Sequence, residues 1–259
     1  MRLIVQSDDY GISRAASLGI VEAIKNGIVR NTGFFTNMPW SKECYEWIKP
    51  YVDDIAFGID FNLSTGSPIL TKNEVPSLIH ESGRFYTSKE NRALDEDAPD
   101  HDHVVYEDAI KECKAQLERF VEITGRKPDY VHPHAYTTKT TMQVLRDIAA
   151  ELGVPFTEDV IKERLGCFGA EMMGWYKFPP TLDNQADSSL EQFILDGKIM
   201  HNDDLAILIG HCGYVDRELM NLSSFNIYRL NDLYGCTSEK VKQYLKDNNY
   251  ELITWREIK

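Results

Sequence analysis

Four short stretches carry side chains able to move protons or hold a cation: Asp8-Asp9, Asp60, His132-Pro133-His134 and His211. Asp8 and Asp9 stand side by side at the end of the apolar run Leu3-Ile4-Val5. Two like charges against a low-dielectric core are costly, and a cation would relieve that cost. Asp60 lies inside the otherwise apolar run Ile55 to Leu63, where an unpaired charge is again expensive. His132 and His134 alternate along a short strand and so point the same way. His211 closes the apolar run Leu205 to Gly210. Carboxylates and imidazoles together supply metal ligands, general bases and general acids. Each group also has an ordinary structural reading. An Asp pair can end a strand as a turn or cap a helix, and the histidines can be hydrogen-bonded loop residues. His101 and His103, in the acidic run 95–103, read as solvated.

The elements that would position these groups follow from periodicity. Ile12, Ala15, Ala16, Gly19, Ile24 and Ile28 are spaced for an amphipathic helix after the first strand. Val29 to Phe35 reads as a strand, Trp40 to Ile48 as a helix and Ile55 to Leu63 as a third strand, a β-α-β-α-β pattern that predicts a parallel sheet with crossover helices. Residues 64–103 break the rhythm and are expected to form a long, partly ordered, lid-like excursion. Helices are predicted over Tyr106 to Thr124, Thr140 to Leu152, Leu190 to Leu195 and Glu239 to Lys246. Strands are predicted over Tyr130 to His134, Val154 to Phe156, Leu205 to His211 and Glu251 to Trp255. Residues 157–203 read as largely irregular, with Trp175 and Tyr176 equally suited to a core or to a sugar-stacking platform. Linkers and repeats are missing from the pattern, so one domain over residues 1–259 is expected. In a parallel α/β barrel every strand ends on one face, where Asp8, Asp9, Asp60, His132, His134 and His211 would converge.

Composition narrows the partners. A formal charge of −13 disfavours nucleic acid and anionic membranes, while leaving a neutral small molecule or sugar open. The N-terminus lacks the pattern of a secretory leader, and apolar runs fall short of the ~20 residues that span a bilayer. Five scattered cysteines without a CxxC fit a reducing, cytoplasmic setting.

Ser7-Asp8-Asp9-Tyr10-Gly11, Gly58-Ile59-Asp60-Phe61-Asn62-Leu63, the 128–134 stretch, His211-Cys212-Gly213-Tyr214 and Trp255-Arg256-Glu257-Ile258 occur in that order, with Gly83-Arg84-Phe85 in the long excursion. In this ordered set the chain resembles the YdjC-like carbohydrate deacetylases, which include the chitooligosaccharide deacetylases. The resemblance implies a distorted (βα) TIM-like barrel of mostly parallel strands. It also implies one divalent metal ion (Zn, Mg or Mn) and removal of N-acetyl groups from an amino sugar or chitooligosaccharide. By that match Asp8 is the base, Asp9 and His134 are metal ligands and His211, as imidazolium, is the acid. Arg84 and Tyr214, in matched motifs, are candidates to support the site or touch substrate.

The chain departs from the family pattern at three positions. Asp60 stands where the family has a histidine ligand, His132 where it has an aspartate, and Cys212 where it has a proline. With Asp60 as the third ligand the set becomes Asp9, Asp60 and His134, a carboxylate-rich site that shifts preference toward harder metals. His132 then braces Asp60, is an alternative ligand or contacts substrate. Two rival readings remain beside the deacetylase: another metal-assisted hydrolase acting on a phosphoester or amide, and a catalytically inactive carbohydrate-binding protein. The excursion over 64–103 is a candidate for substrate enclosure and for contact between copies in a homo-oligomer.

Overall fold

The computed structural model describes residues 1–258. Its centre is a parallel sheet of six strands: β1 (Arg2–Tyr10), β2 (Asn31–Phe34), β3 (Ala56–Phe61), β4 (Val131–Pro133), β5 (Leu205–Gly210) and β6 (Glu251–Ile253). The order is β4-β3-β2-β1-β5. β1 is shared at one edge: its first residues, Arg2–Ile4, pair with β6, and its later ones, from Gln6 onward, pair with β2. Asn31 seals the junction by donating to the carbonyls of Val5 and Ile253 and accepting from the Trp255 amide.

Helices α1 (Arg14–Lys25) and α2 (Ser41–Ile48) provide the first crossovers, α3 (Ser88–Asp97) and α4 (Tyr106–Thr124) lie between β3 and β4, and α5 (Lys139–Leu152), α6 (Thr157–Leu165), α7 (Leu182–Ala186) and α8 (Leu190–Leu195) fill the stretch between β4 and β5. Helices α9 (Arg217–Leu222), α10 (Ile227–Thr237) and α11 (Glu239–Asp247) complete the chain before β6. The result is the expected distorted, mostly parallel (βα) TIM-like architecture.

Side-chain alternation divides the strands between two cores. Leu3, Val5, Phe57, Ile59, Val131, Ala206 and Leu208 face the helices, whereas Ile4, Ala56, Tyr130, Leu205, Ile207 and Ile209 form the inner cluster with Ile253 and Trp255. The same alternation turns Gln6, Asp8, Gly33, Asp60 and His132 inward.

The structure differs from the sequence pattern in several places. β1 runs on through the Asp pair to Tyr10 rather than ending before it. Val154 to Phe156 contributes only a bridge from Phe156 to Val131. The 64–103 excursion is ordered around α3, whose start is fixed by a Thr87/Glu90 capping box. Helices α6 and α10 occupy stretches whose apolar spacing is too weak to announce them, because each buries polar side chains as well as apolar ones.

Candidate active site

The inward-facing polar residues meet at the C-terminal ends of the strands, as parallel packing requires. A bulge makes the two adjacent carboxylates diverge. Between Ser7 and Tyr10, β1 advances three residues while β2 advances two, Thr32 to Phe34. Asp9 takes a left-handed backbone (φ 68°), which a non-glycine residue adopts only with support. Asp60 supplies that support: its Oδ2 accepts the Asp9 amide at 2.8 Å. The carboxylate lies directly over Gly33, where a Cβ would fall 1.6 Å from Asp60 Oδ1, so only glycine leaves it room.

Asp8 heads a buried chain. Trp255 Nε1 donates to Gln6 Oε1, Gln6 Nε2 donates to Asp8 Oδ1 at 2.6 Å, and Asp8 Oδ2 lies 3.2 Å from His132 Nε2. His132 Nδ1 is 2.6 Å from Thr157 Oγ1 at the start of α6. Burial opposes a charged imidazole here, but the Asp8 carboxylate, with Asp60 and Glu158, overrides it and raises His132 to about 10. Asp8 moves the opposite way: burial would raise it, yet the His132 imidazolium beside it holds it below its ordinary value. The pair is therefore a carboxylate and an imidazolium.

Asp9 has a separate set of partners. Its Oδ2 accepts from Arg229 Nη2 at 2.5 Å, and its Oδ1 is 2.7 Å from His134 Nδ1, off the hydrogen-bond line. Burial would raise the Asp9 carboxyl, but His134 and Arg229 keep it well below the usual range. His134 is anchored on its far side, with Nε2 3.1 Å from Thr65 Oγ1. His211 completes the floor. Its Nε2 lies 4.0 Å from both Asp8 Oδ2 and Asp9 Oδ2. Burial and the nearby Arg229 charge outweigh the two carboxylates and lower His211 to about 4. These surroundings favour the neutral ring over an imidazolium.

These groups open onto a cleft of about 1100 Å³. Tyr176, Phe178 and Phe225, in ring contact, give it an aromatic wall, and Phe168, Met173, Lys89, Arg92 and Lys139 stand among the other residues lining it. Such a mixture of apolar wall and convergent polar floor is typical of ligand sites.

The YdjC-like protein family profile matches residues 2–247. The chain belongs to the YdjC-like family. Full-length similarity extends the match: the chain is 27% identical to carbohydrate deacetylase 2 of Listeria innocua, over 100% of this chain and 99% of that protein. It is 26% identical to a chitooligosaccharide deacetylase of Proteus mirabilis, covering 99% and 98% of the two chains. The fold is shared with a crystal structure from Enterococcus faecalis, of a protein whose suggested role is cellobiose-phosphate cleavage (TM-score 0.78, 23% identity, 99% and 98% covered).

The YdjC-like resemblance implies a divalent ion on Asp9 and His134, with Asp60 standing in for the family's histidine ligand, and the donors as placed do not fit one. Both Asp9 oxygens face cationic or ring nitrogens, Oδ2 the guanidinium of Arg229 and Oδ1 the ring of His134. Asp60, 1% exposed, lies beneath the floor with Oδ2 committed to the Asp9 amide. Among the described residues no group of three or more His, Cys, Asp or Glu side chains is placed to hold a metal. The charge cost of the Asp pair is met instead by His132 and Arg229.

This corrects the role expected of Asp60, which acts as a backbone anchor. Burial and the Asp8 charge push its carboxyl well above the usual range, and among the described residues Oδ1 has no hydrogen-bond partner. An amide should therefore serve as well as an acid. Asp60→Asn is expected to change unfolding free energy by less than ~1 kcal/mol, while Asp60→Ala, which orphans the Asp9 amide, costs about 1–3 kcal/mol in urea denaturation. Equal losses in the two variants would contradict the anchoring role.

Two further expectations are corrected. Arg84 forms a bidentate pair with Glu90, at 2.7 and 2.8 Å, and braces the start of α3; it does not line the cleft. Tyr214 is 43% exposed and also lies outside the cleft lining, its amide bonded to the Ala15 carbonyl. Cys212 is a buried core residue whose amide donates to Ser7 Oγ. Sequence reasoning passed over Gln6, Thr157, Arg229 and Asp232. The signal available for the last two was a pair of opposite charges three apart on α10, amid Tyr228, Leu233 and Cys236.

Proposed function

We propose that this YdjC-like protein hydrolyses the N-acetyl amide of an acetylated amino sugar or chitooligosaccharide, in a reducing cytoplasmic setting that its five free cysteines favour. The observation that carries this reading is the facing pair on the cleft floor, Asp8 Oδ2 and His211 Nε2 at 4.0 Å. That separation lets one water hydrogen-bond to both. The full-length relatives named carbohydrate and chitooligosaccharide deacetylase support it.

In this mechanism Asp8, held as a carboxylate by His132, orients the water. His211 Nε2 takes a proton from the water as its oxygen attacks the acetyl carbonyl. The same nitrogen then delivers the proton to the sugar nitrogen as the C–N bond breaks, releasing acetate and the free amine. The floor is close to neutral because His132 and Arg229 balance Asp8 and Asp9. An uncharged amide can therefore approach. The aromatic wall offers faces for sugar rings to stack on.

Acetate release from N,N′-diacetylchitobiose and a panel of acetylated sugars tests the reading. Release is expected to survive exhaustive chelation, because no step uses an ion. Release only after Zn²⁺, Mg²⁺ or Mn²⁺ is added would overturn the assignment of the floor. The misfit of the ligand set favours one alternative, a carbohydrate-binding protein without turnover, which predicts saturable sugar binding and no acetate from any panel member.

A further inference from the structure

His211 is held from behind by groups that the hydrolytic scheme does not yet use. Tyr176 places its hydroxyl oxygen 3.0 Å from His211 Nδ1 and donates its own proton to Asp232 Oδ2. Asp232, on α10, also accepts the backbone amide of His211 at 2.8 Å through Oδ2 and Trp175 Nε1 at 2.8 Å through Oδ1. The carboxylate reaches this position because residue 210 is glycine: a Cβ there would lie 2.9 Å from Asp232 Oδ2.

We propose that Tyr176, backed by Asp232, is a positioning residue that fixes His211 in the tautomer carrying its proton on Nδ1, leaving Nε2 bare toward Asp8 and Asp9. The donor count places a hydrogen on Nδ1. An ionised carboxylate only accepts, and Asp232 already receives three hydrogen bonds. Burial raises Asp232 to about 6, so it is ionised at pH 7.5. The single Tyr176 proton is committed to Asp232, and the tyrosine oxygen has only lone pairs to offer His211. Nδ1 must therefore bring the hydrogen. The tyrosine cannot swing away. Its ring is 4.7 Å from that of Tyr228, 4.9 Å from Trp175 and 5.2 Å from Phe225, and it is 7% exposed.

The consequence for the reaction rests on the hydrolytic reading above. The bare Nε2 is the lone pair that accepts the water proton, and the Nδ1–H to Tyr176 bond keeps the ring aligned while Nε2 holds that proton and passes it to the amine. The ring returns to its starting form with no net proton gained.

The test is the tautomer itself. Long-range ¹H–¹⁵N spectra of histidine-labelled protein at pH 7.5, with His211 assigned by its loss in His211→Gln, are expected to show a pyridine-like Nε2 and a protonated Nδ1. Tyr176→Phe keeps the ring packing and removes the acceptor. It should convert His211 to a mixture of tautomers or to the Nε2–H form. In the same variant kcat for acetate release should fall on the order of 10-fold, a part of the 10²–10⁴ that proton transfer contributes, with KM within about twofold. An Nε2–H tautomer in the wild type, or an unchanged tautomer in Tyr176→Phe, overturns the proposal. The spectra need no substrate, so failure to release acetate would count against the hydrolytic reading and leave this one decided by the spectra alone.

Discussion

Replacing His211 by alanine is expected to lower the rate of acetate release by about 10²–10⁴-fold, the range that general acid–base transfer supplies, with little change in melting temperature. His211 is the one group on the floor with no charged partner within ordinary pairing distance: its contacts to Asp8 and Asp9 are both 4.0 Å. Its loss strands no buried charge, since Asp8 keeps Gln6 and His132, and Asp9 keeps Arg229 and His134. Tyr176 still donates to Asp232. The activity loss should therefore separate from stability. Asp8→Asn makes the contrast. It is expected to lose activity on a similar scale and also to destabilise, because a histidine raised to about 10 loses the carboxylate that holds its charge. Steady-state kinetics and thermal melts on the two variants check both halves. A His211→Ala protein that retains wild-type turnover would remove His211 from the mechanism.

Arg229→Met carries the largest expected effect on stability, about 3–5 kcal/mol, the usual cost of removing one partner from a buried ion pair. Arg229 is 1% exposed and Asp9 1% exposed, so solvent cannot take over the role of the guanidinium. For a chain of this size that loss corresponds to a drop on the order of 10 °C in Tm. The double variant Asp9→Asn/Arg229→Met should recover part of it, because the amide carries no charge to strand and asparagine tolerates the left-handed backbone of residue 9. Denaturant unfolding of the single and double variants measures the difference. If the double variant is no more stable than the single one, Arg229 contributes packing rather than charge compensation.

Much of the frame was legible from spacing alone. Continuous apolar runs marked β1, β3 and β5, and the helical periodicity of the segments between the early strands made those strands parallel. Parallel strands must end on one face, so the convergence of Asp8, Asp9, His132, His134 and His211 followed from the order of the elements. The ordered motifs pointed correctly to the YdjC-like family.

What the sequence could not settle was which of the converging groups touch. That depends on depth and on side chains from distant helices. Asp60 and His132 sit at neighbouring strand tips and are paired in register, yet His132 meets the Asp8 carboxylate while Asp60 accepts the Asp9 amide at the β1 bulge. Arg229 reaches Asp9 across 220 residues of sequence, and Asp232 reaches His211 from the same helix. A cation was expected beside the Asp pair because buried like charges need one. Its need is a matter of local electrostatics and is readable from two adjacent aspartates. Its identity, as the guanidinium and imidazolium that pair with them, is set by packing of α10 and β4 against β1, which only the tertiary structure decides.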